Sequence, residues 1–253
     1  MTHYQEVVMK KTLAIIILLL TVGCTLLQPS PDLAWDQDAE ELIIRLTDGG
    51  GYQPEAGIYN EIPRMLVWGN GRIIWHTFNE DDNRQVWQAQ LSEAEMTDLL
   101  QTFADKGFFH LDAHYELGEK ISDSSSINLQ INLLSGSYGV DEYSSGAPNE
   151  FHALVELLGS GAGAEGTPYI PQSGHLTAVL LRPRGGISTL PTWDAATLGL
   201  NLEDATGIWV DGDVLAYAWE IVNLEYWVAQ VVQGEDLYEL YVQLPELTGV
   251  DPK

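Results

Sequence analysis

Between Ile127 and Leu133 the apolar residues Ile127, Leu129, Ile131 and Leu133 alternate with Asn128, Gln130 and Asn132. A period of two puts all four aliphatic side chains on one face of a strand, so the fold must contain a sheet with a covered face. Two helices supply the cover. Ser92-Glu93-Ala94-Glu95 is a capping box, in which the Ser92 hydroxyl and the Glu95 carboxylate each satisfy a free N–H at a helix start. Met96, Leu99, Leu100 and Phe103 then recur on one face, and Gly107 is placed to end the helix. Pro148 opens a second helix with Phe151, Leu154, Val155 and Leu158 as its inner face, closed by Gly159.

The remaining strands follow from turn chemistry. Arg64 to Trp68 and Arg72 to Phe78 flank Gly69-Asn70-Gly71, whose Asn-Gly step suits a tight hairpin. Leu42 to Leu46 precedes them, with Gly49 to Gly51 expected as a loop, and Gln85 to Leu91 follows. Tyr138 to Tyr143 is expected to pair with the alternating strand across Ser135-Gly136. The order of strands, helix, strands and helix predicts an α+β domain over 42–166, an antiparallel sheet with two helices on one face.

Gly159 to Gly166 (GSGAGAEG), with Pro168 and Pro171, reads as a boundary before a mainly β second region over 167–253. There, Leu176 to Leu181, Ile208 to Val210, Val214 to Val222, Tyr226 to Val232 and Leu237 to Leu244 read as strands, most of them in an antiparallel meander. Asn201 to Ala205 reads as a single helical turn. Aromatic residues crowd the meander. Packing is the common role for aromatics on strands. Trp209, Trp219, Tyr226 and Trp227 are the candidates for a ligand-binding platform, because amphipathic rings also suit interfaces.

Met9, Lys10 and Lys11 form a short basic stretch before the apolar run Thr12 to Val22, a run too short to span a bilayer comfortably. Met1 to Val8 contains Glu6 and is unlike a leader, so translation is expected to start at Met9. Thr21-Val22-Gly23-Cys24 resembles the lipobox of bacterial lipoprotein precursors, with Thr21 where that family usually has Leu. The resemblance implies a signal peptide over 1–23, cleavage between Gly23 and Cys24, and lipid on Cys24. It places the mature chain outside the cytoplasm, held to the cell membrane or the outer membrane. Residues 24–41, rich in acids and containing Pro29 and Pro31, are expected to be a tether. Cys24 is the single cysteine, so no intramolecular disulfide forms.

The formal net charge of −26 argues against nucleic acid as a partner, because such affinity comes from Lys and Arg neutralising phosphates. The same charge opposes electrostatic attachment to anionic lipid and leaves covalent lipid as the means of membrane association. Motifs for catalysis are missing. Gly161 to Gly166 spells G-x-G-x-x-G, but it follows a helix and runs into Thr167-Pro168, the wrong context for a dinucleotide, and reads as a linker. His110 and His114 have the spacing of two zinc ligands, yet Leu111 stands where a metalloprotease needs its glutamate. No metal, cofactor or catalytic residue is therefore assigned.

The hairpin from Trp68 to Ile74, the helix end at Gly107-Phe108-Phe109 and the helix start at Ala147-Pro148 together resemble an uncharacterised family of secreted α+β domains, over about Arg64 to Leu158. That resemblance implies a fold and a location and brings no catalytic residue. The expected function is a membrane-anchored, non-catalytic lipoprotein that binds an envelope component or a ligand. The alternatives are a carbohydrate-binding module using the aromatic meander and a hydrolase built on two carboxylates.

Overall fold

The computed structural model describes residues 30–51, 53–116, 118, 124–181, 190–224, 228–245 and 247–248. The chain divides into Met1–Asp32 and Leu33–Lys253, and every helix and strand among the described residues belongs to the second unit. In chain order that unit forms β1 (Leu42–Gly50), α1 (Glu55–Tyr59), β2 (Met65–Trp68), β3 (Arg72–Phe78), β4 (Arg84–Gln90) and α2 (Glu93–Asp105). A 3-10 turn (Phe108–His110), β5 (His114–Glu116), β6 (Ser125–Leu133), β7 (Gly136–Tyr143), α3 (Asn149–Gly159) and β8 (Thr167–Pro168) come next. The rest comprises β9 (Ser173–Leu181), α4 (Ala195–Leu198), a 3-10 turn (Leu202–Asp204), β10 (Thr206–Asp211), α5 (Gly212–Leu224), β11 (Gln230–Gln233) and β12 (Asp236–Gln243).

The fold is α+β and mainly β. Eight strands form one sheet in the order β5-β7-β6-β1-β2-β3-β4-β8, and four form an antiparallel sheet in the order β10-β9-β12-β11. The larger sheet is mixed, because β5 runs parallel to β7. Both expected helices pack on one face of it. Met96, Leu99, Leu100 and Phe103 from α2 and Phe151, Leu154, Val155 and Leu158 from α3 share a core with Leu129 and Ile131 of β6. The capping box at Ser92 is formed, with Glu95 N–H donating to Ser92 Oγ and Ser92 N–H to Glu95 Oε2 at 2.7 Å.

The opposite face is covered too. Met65, Val67, Ile73 and Trp75 point to the helices, whereas Leu66, Trp68, Ile74 and Val86 pack with α5 and the inner face of the smaller sheet. This two-sided burial is why β2 reads Met-Leu-Val-Trp with no polar alternation. The region after residue 166 thus lies against the first sheet, and Thr167–Pro168 still pairs with β4.

Three local expectations are corrected. Val214 to Val222 is helical, within α5, because Leu215, Ala218, Trp219 and Val222 bury one face at spacings of three and four. The expected meander is therefore a four-stranded sheet with a helix inserted between β10 and β11. Gly49 and Gly50 extend β1, paired with Ser126 and Ser125, where a loop was expected. Gly161 to Gly166 is a packed turn and no free linker, since the indole of Trp75 lies against Gly161 and Gly166 where side chains would otherwise stand.

The acidic stretch before β1 is docked from Leu33 onward. Leu33 and Trp35 pack on the helix-side core, Trp35 Nε1 donates to Gly69 O at 3.0 Å, and Leu134 N donates to Ala34 O at 2.8 Å.

Candidate ligand cleft

Unequal strand lengths create the site. β2 has 4 residues between a β1 of 9 and a β3 of 7, so β1 and β3 run on past its start with no strand between them. The segment containing α1 and Asn60–Arg64 borders the gap, leaving a cavity of about 210 Å³. Asp48, Glu61, His76, Phe78, Arg84 and Ser125 are among the residues that line it.

His76 follows Ile74 on the inward side of β3, and its Nδ1 lies 3.2 Å from Pro63 O. A carbonyl oxygen only accepts, so Nδ1 carries the proton and Nε2 is left as an acceptor. Burial, reinforced by the Arg84 guanidinium, brings the ring's pKa from 6.5 down to about 3. The imidazole is neutral at any physiological pH. It can accept a hydrogen bond from a ligand but is too weak a base to remove a proton.

Two carboxyl groups face the same space. Burial raises the pKa of Asp48 even though Arg64 Nε donates to Asp48 Oδ2 at 2.7 Å. Burial also raises that of Glu61, helped by the charge of Asp48 and opposed by Gln53, Arg84 and Arg45. Ionisation of either acid is therefore costly in the absence of a further partner.

Arg84, buried at the start of β4, organises the back of the cleft. Its Nε donates to Asn223 Oδ1 at 2.6 Å and its Nη1 to Asn60 O at 3.0 Å. Asn60 in turn uses its side chain as a strand would. Its Nδ2 donates to Leu240 O at 2.9 Å, and its Oδ1 accepts from Val242 N at 2.7 Å, along the part of β12 that β11 does not cover. The cleft wall is tied in this way to α5 and to the smaller sheet.

Residues singled out from sequence lie elsewhere. Trp209 on the edge strand β10 is 58% exposed and meets His175 edge-on at 5.6 Å between ring centroids. Trp219 is only 7% exposed, a core residue of α5 with Arg84 beside its ring. Tyr226 and Trp227 lie outside the described residues, as do Gly23 and Cys24. His114 sits on β5 with its Nδ1 3.0 Å from Asp141 Oδ2, while His110 ends the 3-10 turn. Among the described residues no group of three or more His, Cys, Asp or Glu side chains is arranged to hold a metal ion. The cleft residues do carry one signal in the sequence: His76 and Arg84 occupy inward positions next to Ile74 and Val86.

The model of a family described as a domain of unknown function (DUF6438) matches residues 61–160. Its span takes in Glu61, His76 and Arg84, together with α2 and α3, and leaves Asp48 outside. It indicates no catalytic family. No curated protein and no solved structure matches the chain.

Proposed function

We infer that the chain is a lipid-anchored, extracytoplasmic binding protein that takes a small polar ligand in the cleft beside β2. The observation that carries the binding role is a cavity lined together by His76, a neutral imidazole whose Nε2 is an acceptor, and by two carboxyl groups whose ionisation is costly. A ligand with N–H or O–H donors would satisfy all three. Anchoring rests on the leader and on Thr21-Val22-Gly23-Cys24.

Each half has its own test. Radioactive fatty acid should label the chain and disappear in Cys24→Ala; labelling that persists would remove the anchor from the account. For the cleft, a thermal-shift screen of small amines, amides and polyols should give at least one ligand whose effect is lost in both Glu61→Gln and His76→Phe. Ligands that act equally on wild type and both variants would place binding elsewhere.

A second role is favoured by one observation. Asp48 and Glu61 share the cleft with pKa values raised by burial, the environment in which a carboxylic acid can act as a proton donor while its partner works as a base or nucleophile. Hydrolysis abolished by Glu61→Gln with ligand binding retained would mark the site as an enzyme's.

A further inference from the structure

We propose that the cleft opens away from the membrane that holds the chain, so that its ligand arrives from the far side and is not a lipid of the anchoring bilayer. This rests on the lipid-anchor proposal and adds an orientation to it.

The first observation is where the chain joins the folded body. Leu33 to Trp35 are fixed beside two turns, with Ala34 O accepting from Leu134 N at the β6–β7 turn and Trp35 Nε1 bound to Gly69 O at the β2–β3 turn. Both turns lie at one end of the large sheet, because Leu42 at the start of β1 pairs with Trp68. The cleft lies at the other end. Gly50, where β1 finishes, pairs with Ser125, and both line the cavity together with Phe78, the last residue of β3. At roughly 3.3 Å per residue, the nine residues of β1 separate the two ends by roughly 26 Å.

The second observation is the length of chain available. Only the eight residues Thr25 to Asp32 lie between Cys24 and Leu33. Even fully extended, eight residues span at most roughly 28 Å, little more than the sheet. Lipid on Cys24 therefore keeps the Gly69 and Leu134 end nearest the bilayer. Charge sets the stand-off: Asp36, Asp38, Glu40 and Glu41 are exposed around the joining segment and repel anionic headgroups, so the anchored end is held near the bilayer by the spacer without pressing against it. Leu134, a large apolar side chain at this end, is 69% exposed.

The test uses the full lipidated chain on vesicles of phosphatidylethanolamine and phosphatidylglycerol carrying a headgroup-linked fluorescence acceptor. The lipid occupies the sulfur of Cys24, so an introduced cysteine is the only free thiol. Ser135→Cys reports on the anchored end and Glu80→Cys, in the β3–β4 turn, on the cleft end. A donor at residue 135 should transfer strongly and one at residue 80 weakly, with the contrast collapsing when a long Gly/Ser segment is inserted after Pro31. Equal transfer from both positions with the natural spacer, or stronger transfer from residue 80, would overturn the orientation. Chain that stays in the supernatant overturns the anchor itself, a distinguishable failure.

Discussion

Replacing His76 separates its titration from every other group in the cleft. The unfolded chain has an ordinary imidazole of pKa 6.5, whereas the folded chain holds it at about 3. Below pH 6.5 the unfolded state takes up a proton that the folded state refuses, so the stability owed to a neutral His76 is full above pH 6.5 and is lost as pH falls toward 3. Between those limits the slope approaches about 1.4 kcal/mol per pH unit, and at pH 5 the accumulated loss is about 2 kcal/mol. Asp48 and Glu61 act with the opposite sign. Their raised pKa values make the folded state the better proton acceptor, so they destabilise it as pH rises through the carboxylate range. The net acid limb of the wild type therefore mixes both effects. The difference between wild type and His76→Gln does not, because Gln keeps a polar side chain of similar reach and cannot titrate. Urea unfolding of both proteins at half-unit steps from pH 8 to pH 5 should show the wild type losing about 2 kcal/mol relative to the variant. A constant difference across that range would falsify the assignment of a neutral, proton-refusing His76.

Two further substitutions probe the packing that shapes the cleft. Asn60→Ala removes both bonds to β12 and leaves Leu240 O and Val242 N buried beside an empty space, which should lower stability by about 2–4 kcal/mol in urea titrations and weaken any cleft ligand in the same variant. Gly161→Ala should cost about 1–3 kcal/mol more than Gly163→Ala: both have positive φ, but a Cβ at 161 meets Trp75 at 2.6 Å and one at 163 meets open space. Equal melting temperatures for the two glycine variants would show that Trp75 exerts no pressure there.

Elements with a complete local signal are legible in the sequence. α2 announces its own start through Ser92 and Glu95 and its own inner face through Met96 to Phe103, and β6 shows its covered side by alternation. α5 reads as a strand because its apolar residues form an almost unbroken run from Val214 to Val222, in which periods of 2 and 3.6 fit nearly equally well. Only the burial of Leu215, Ala218, Trp219 and Val222 against the smaller sheet and β4 decides between them. Beyond the inward positions of His76 and Arg84, the cleft is illegible for another reason. It exists because β2 is shorter than its neighbours, and strand length mismatch is a property of three segments at once. Asp48, Glu61, His76 and Arg84 carry no spacing motif; pairing register brings Asp48, His76 and Arg84 to the gap, and the bonds from Asn60 to β12 hold the segment of Glu61 there.

The bond from Asn60 to β12 spans 180 residues, which makes the cleft a late product of folding. A chain emerging from its N-terminus presents β1, α1 and β2 long before the strand that holds Asn60 has joined them. Until β12 arrives, the segment carrying Glu61 lacks the two bonds made through Asn60 and is held only from the side of β1, β3 and β4. A fragment ending at residue 160 keeps both helices and most of the large sheet, yet on the proposed reading it should bind no cleft ligand.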